Sequence, residues 1–458
     1  MKLLSYLILA GFIFIHPAVG ATYYVSSTGN DSNNGLSPGA PWQTIAKVNG
    51  NTYGPGDSVF FEGGETFSGT LSFRVRETST SPFTIGSYGT GRAVIGPGVG
   101  PGLYAYNCSG IVIQNMDFTG SGAGTNTNHG IEFYADLAGN MKLNYIRIDS
   151  VNVSGFGRAG IIIGAWNNLT GYNDVRVTNA IVHDNHEDGL QVYAQNKGAN
   201  TNIYLGHSQF YNNTGRSGPG SPSGSGAIFG EVNGGTIEFC AAHNNGALNT
   251  STSGPVGLWC YDSNSVLIQY NESYSNTTSE DDGDGFDLDG GTTNSYLQYN
   301  YSHDNKGGGL CLFQYAGASA HKGNIVRYNI SQNDGSGVAV WGANSSSLVT
   351  GDSIYGNIIF TGRGDGVDFY NANCSGIAVI KNIIVTAKGY ALVRFPGSSG
   401  VSFNYDDYWA SAYAFVISWN GQTYSSLSAW QTATGQEKNG QNVDPAPFSG
   451  AAPAYWYF

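Results

Sequence analysis

Gly285-Phe286-Asp287-Leu288-Asp289 changes side-chain character at every residue. That is the period of a β-strand, which sends successive side chains to opposite faces. Phe286 and Leu288 face one way, Asp287 and Asp289 the other. Asp281, Asp282 and Asp284 stand just ahead, so five carboxylates fall within nine residues. Two carboxylates at alternate positions of a strand lie about 6.5–7 Å apart along the backbone. Such a pair can divide acid and base work or hold a cation.

The glycine-led alternation recurs at Gly130, Gly160, Gly189, Gly226, Gly257, Gly285, Gly309, Gly337, Gly366 and Gly389, mostly 28 to 31 residues apart. A second strand runs at the same period, as in Leu297-Gln298-Tyr299-Asn300-Tyr301-Ser302-His303-Asp304-Asn305. Asn271, Asn300, Asn329, Asn357 and Asn382 align in one column, and Asn245, Asn276, Asn305 and Asn333 in another. No long helical pattern intervenes, which excludes a βαβ array. Short strands at fixed phase in a repeat of this size specify an all-β solenoid, a single-stranded parallel β-helix whose coils stack on one another. Val192, Phe229, Cys260, Leu288, Leu312, Val340 and Phe369 then form one inward column. The asparagines are expected at turns, where they tolerate left-handed backbone and bond neighbouring coils.

Composition fits many short strands joined by many turns. Of 458 residues, 68 are Gly, 11% are charged and 40% are hydrophobic. That is too apolar and too weakly charged for a disordered chain. The net charge of −13 disfavours nucleic acid and anionic membrane as partners. Five cysteines match no zinc or redox spacing; a Cys240–Cys260 bridge and buried single thiols are the alternatives. Met1-Lys2, the apolar run Leu3 to Ile15 and the small residues Ala18 to Ala21 read as a secretory leader over 1–21. The expectation is therefore a secreted or periplasmic protein, acting as a monomer. Residues 22–100 are read as an N-terminal cap and first coils, 101–400 as the β-helix, and 401–458 as a C-terminal cap that covers the solenoid end.

The block Tyr23-Tyr24-Val25-Ser26 with Gly29-Asn30-Asp31, the block Pro55-Gly56-Asp57-Ser58-Val59-Phe60-Phe61 and the coils resemble secreted bacterial right-handed parallel β-helix proteins. These form the pectate-lyase and polygalacturonase superfamily. The resemblance implies right-handed coiling and a glycan bound along an exposed sheet. It does not imply one reaction, because the superfamily holds lyases, hydrolases, epimerases and non-catalytic adhesins. The acid, Gly-His-Gly and Arg-x-Lys set of polygalacturonases is incomplete here, and the Asp-Pro-His-Asp motif of mannuronan epimerases is absent.

Stacked coils place residues in columns about 4.8 Å apart. Two residues after each glycine the column contains Glu132, Gln191, Trp259, Asp287 and Asp368. Four residues after it come Tyr134, Tyr193, Tyr261, Asp289, Phe313, Trp341 and Tyr370. Aromatic faces stack on sugar C–H surfaces, and carboxylates bond hydroxyls or move protons. The plain alternative is an aromatic ladder that only stabilises the sheet. Asp287 and Asp289 are the candidate catalytic pair, with Asp284 as helper. Trp259, Tyr261, Asp262, Phe313, Trp341, Tyr370, Asp368, Tyr193 and Gln191 are candidate substrate-binding residues. Asp188 and Asp365 share the position of Asp284, and His183, His186 and His303 sit in repeated turns.

Three functions remain open. A glycoside hydrolase would use the aspartate pair as acid and base or nucleophile, without a cofactor. A polysaccharide lyase would hold Ca²⁺ on the acids and need a Lys or Arg base, for which Lys306, Arg327, Arg394 and His303 are candidates, none in the columns beside Asp287 and Asp289. A glycan-binding surface protein would use the aromatics alone. The oligosaccharide or polysaccharide partner is common to all three.

Overall fold

A computed structural model gives the fold and describes residues 20–218, 224–251 and 254–445. Residues 1–19 of the expected leader and 446–458 of the expected C-terminal cap lie outside the described residues. The described chain coils into stacked rungs, with one sheet of 25 strands, one of 14 and a small one of three. Every named strand pair is parallel except the hairpin of Ile417–Trp419 with Gln422–Tyr424. The larger sheet is two series of strands that meet at a corner in each coil. Among the described residues no helix is long and apolar enough to cross a membrane.

Each coil is held by its neighbours, and the glycine column shows why the repeat is strict. A Cβ on Gly257 would lie 1.9 Å from Ser273 Oγ, and one on Gly285 would lie 2.1 Å from Ser302 Oγ. The smaller sheet thus approaches the opposite wall too closely for any side chain at this position. Val192, Phe229, Cys260, Leu288, Leu312, Val340 and Phe369 form the expected inward column, all essentially solvent-free. All five cysteines are buried free thiols, so Cys240 and Cys260 are not bridged.

The buried amides make two ladders along the helix axis. In one, Asn300 Oδ1 accepts from both the backbone N–H and the Nδ2 of Asn271 at 3.0 Å, and the pattern repeats through Asn329, Asn357 and Asn382 to Asp406. Each such bond contributes about 1 kcal/mol net, and an orphaned partner costs about 1–3 kcal/mol. The asparagines are not the left-handed residues. That conformation belongs to the residue before each, as at Tyr270, Tyr299 and Tyr328, all with φ near 56°. The second ladder runs Asn245, Asn276, Asn305 and then Asp334, whose Oδ1 accepts from Asn305 at 2.9 and 3.0 Å. Asn333, assigned to that column from the sequence, instead takes the left-handed corner with φ 56°.

The ends are covered by short amphipathic pieces. Helix Ile45–Asn49 is capped by the Thr44 hydroxyl and turns Ile45 and Val48 inward. Helix Leu427–Thr434 is capped by Ser426 and buries Trp430 against Phe403, Tyr408 and Trp419. The last coil differs from the sequence alignment. Val393 and Arg394 pair with Val367 and Asp368, so Leu392 and not Gly389 occupies the glycine column.

Candidate active site

Five adjacent strands of the smaller sheet carry the site: Val256–Tyr261, Asp284–Leu288, Gly308–Gln314, Ser336–Gly342 and Val367–Phe369. Their register sets Trp259, Asp287, Cys311, Ala339 and Asp368 in one outward column. A cavity of about 710 Å³ opens over them. Asp284, Asp287, Asp289, Trp259, Phe313, Trp341 and Tyr370 line it. Volumes of this order hold small-molecule ligands.

The structure adds Asp282, Lys306 and Tyr315 to this lining, together with Glu280 and Asp281. In the sequence Asp281 and Asp282 stand only ahead of the strand, outside the candidate site, and Lys306 lies outside the columns beside Asp287 and Asp289. The chain reverses at Gly283 (φ 82°) and brings Asp282, itself left-handed with φ 68°, to the cavity. Asp282 and Lys306 stand three residues before the glycines of adjacent coils. That column was the signal that would have found both.

The carboxyl environments differ. Asp284 and Asp287 are 1% and 2% exposed, while Asp289 and Asp282 are half-buried. Asp284 Oδ1 accepts the Gly308 N–H, as Asp188 and Asp365 accept the N–H groups of Ser225 and Ala391. This shared bond staples one coil to the next and explains the recurrence of Asp before the glycine. The remaining oxygen of Asp284 and the Oδ1 of Asp287 are buried without a hydrogen-bond partner. Burial, reinforced by the neighbouring acids, pushes both carboxyls well above the usual range. Burial raises Asp289 to about 7. Burial raises Asp282 to about 6, with the Gly254 N–H at 2.8 Å and the Lys306 charge opposing the rise.

Beneath the strand lies a histidine that the sequence reading did not single out. His321 is buried, with Nε2 2.8 Å from the Leu288 carbonyl oxygen and Nδ1 3.1 Å from Asp352. Burial opposes its charge, but these partners outweigh burial and raise its pKa. The ring fixes the backbone next to Asp289.

The remaining expected binding residues divide. Trp341 and Tyr370 each contact Phe313, with ring centroids 6.3 and 6.0 Å from it, and Phe313 and Trp341 pack on the buried Cys311 and Ala339. Trp259 is tied by its indole N–H to Ser225 Oγ at 3.0 Å. Tyr261 lies over Gly230, outside the cavity lining. Asp262 sits beyond the strand end and accepts bonds from the Tyr315 and Ser319 hydroxyls at 2.5 and 2.7 Å. Asp368 is paired with Arg394 at 3.8 Å and does not line the cavity. Gln191 and Tyr193 lie on the same sheet but line a separate depression. Arg327 and His303 belong to the other sheet.

Among the described residues no three or more His, Cys, Asp or Glu are arranged to hold a metal ion together.

A family model described as right handed beta helix region matches residues 144–354. The chain is a right-handed parallel β-helix protein. A lacto-N-biosidase of Bifidobacterium longum subsp. longum is 26% identical over 454 aligned positions, which take in 74% of this chain and 27% of that protein. The native crystal structure of a GH136 lacto-N-biosidase from Eubacterium ramulus matches with TM-score 0.58 at 18% identity, covering 83% of this chain and 65% of its own. Its selenomethionine derivative gives 0.57 at 18% identity, covering 85% and 67%. The β-helix thus spans about a quarter of the curated relative's length and about two thirds of the solved one. At this identity the structural likeness is one of fold.

Proposed function

We propose that this protein is an exported glycoside hydrolase acting on a neutral glycan in the cavity over Asp282, Asp284, Asp287 and Asp289. The observation that carries the reading is an aromatic-walled cavity lined by six carboxyls, of which Asp282, Asp284, Asp287 and Asp289 are all raised by burial. Hydrolysis needs one carboxyl that holds its proton and one that has lost it. Asp289, at about 7, is the member that keeps a proton near neutrality and gives it to the leaving glycosidic oxygen. Asp282, which accepts the Gly254 N–H and lies beside Lys306, is the member that ionises first and acts as base on the attacking water or as nucleophile at the sugar carbon. Burial, with the charge of Asp282 behind it, keeps Asp289 protonated. Trp259, Trp341 and Tyr370 provide ring surfaces for the sugar.

The same cluster argues against a uronic-acid substrate, whose carboxylate would meet several acids and a single lysine. Sequence similarity to a lacto-N-biosidase supports the hydrolase class, and makes a lacto-N-biosidase substrate the first to try. The test is incubation with that substrate, a panel of other neutral glycans and a uronate polymer, following reducing ends and ultraviolet absorbance. New reducing ends from a neutral glycan are the expected result. Unsaturated, ultraviolet-absorbing products from the uronate polymer would overturn the proposal.

A further inference from the structure

The smaller sheet carries a second depression, of about 370 Å³, around Glu132, Tyr134, Gln191 and Tyr193. Register counts five coil steps from Glu132 through Ile162, Gln191, Ile228 and Trp259 to Asp287. At ~4.8 Å per step the two sites are about 24 Å apart on one face. Tyr193 lies across Gly164, where any Cβ would fall 2.1 Å from its ring, so the missing side chain leaves room for an aromatic surface. Tyr134 stacks on Tyr106 at 6.3 Å and 17°. Arg158 reaches the rim and is held by the buried Glu187 at 3.4 Å. His129, 4% exposed, also lines the depression, and its Nδ1 is buried without a hydrogen-bond partner.

We infer that this depression is a second, non-catalytic binding site for a neutral oligosaccharide. Hydroxyl groups both donate and accept, which suits a lining of amide, guanidinium, carboxyl and imidazole. Tyr134 and Tyr193 present ring surface to sugar C–H groups. An anionic sugar would meet Glu132, and the guanidiniums of Arg158 and Arg216 are both already engaged by Glu187. The inference borrows the neutral-glycan class from the cavity reading, but its site is independent.

The experiment is calorimetric titration of full-length Asp289→Asn protein, expected to cleave about 10³-fold more slowly than wild type, with neutral tetrasaccharides of N-acetyllactosamine and cello type and an oligogalacturonate control. Two binding events with a neutral ligand are expected. Adding Tyr134→Ala and Arg158→Ala should remove one event, weakening it at least about tenfold, and Trp259→Ala should weaken the other. Thermal unfolding confirms that each variant folds. A single event that survives Tyr134→Ala with Arg158→Ala, binding of the oligogalacturonate alone, or no binding at all would overturn the inference. A single event lost in that double variant would uphold it and count against the cavity reading instead.

Discussion

The amide ladders and the acid cluster lie in the same coils, and both bury polar groups almost completely. Asn300 and Asn305 are fully buried, and Asp284 and Asp287 are 1% and 2% exposed. In the ladder from Asn271 to Asn382, each side-chain amide finds partners in the next coil and in a strand carbonyl. In the cluster one oxygen of Asp284 and one of Asp287 find none. Burial without partners is costly, and a fold that can satisfy a column of amides could satisfy two carboxyls. Under the proposed function, the amide ladder is polar burial that builds the helix, and the unpartnered oxygens of Asp284 and Asp287 mark the cavity wall beside which the chemistry takes place.

The largest expected effect is on activity. Asp282→Asn should lower kcat by about 10²–10⁴-fold, the usual contribution of a positioned acid or base, with little change in thermal unfolding. Rate measurement on a cleaved neutral glycan checks it. The ladder should behave in the opposite way. Asn300→Ala breaks one rung, orphans the Asn271 amide and should cost about 3 kcal/mol by denaturant titration, while the folded fraction keeps its kcat.

Next in size is the pH profile of kcat/KM. Activity should rise as the pair loses its first proton near pH 6 and fall as it loses its second near pH 7, giving a narrow bell between them. A profile flat from pH 5 to 8 would break the assignment. The smallest effect is expected at Tyr315→Phe, which removes the hydroxyl bonded to Asp262. Loss of one such bond, about 1 kcal/mol, corresponds to about a fivefold decrease in kcat/KM.

The fold was legible because its constraints are periodic. The glycine column, the alternation after it and the amide columns recur with each coil, and each has a steric or hydrogen-bonding cause that the sequence displays. Errors came where a turn imitated the repeat. Gly389, with φ 81°, is a turn glycine, and Leu392 holds the true column position. Asn333 resembles a ladder member beside Asp334, which is the one that bonds Asn305. Asp287 and Asp289 were legible as outward acids because strand alternation fixes their face. Asp282 and Lys306 were not, since alternation says nothing of a reversal at Gly283 that folds the preceding turn over the strand. Tyr193 and Gln191 were read as part of one stripe because a column gives order along the sheet but not where its surface is interrupted.

If Asp289 is kept for chemistry at a cost to stability, Asp289→Asn should reveal both the cost and the chemistry in one protein. Its carboxyl is raised from an ordinary 3.8 to about 7 by folding. The stability attached to that proton is fully present below about pH 4 and is lost as pH rises through 7. At pH 8 the folded state therefore holds an unfavourable charge that asparagine removes. Unfolding and hydrolysis measured side by side at pH 8, with hydrolysis repeated at pH 6.5, should show a variant about 1–2 kcal/mol more stable, after allowance for solvent screening, and about 10³-fold less active. A variant that is less stable at pH 8, or that hydrolyses glycan at the wild-type rate, would contradict the account.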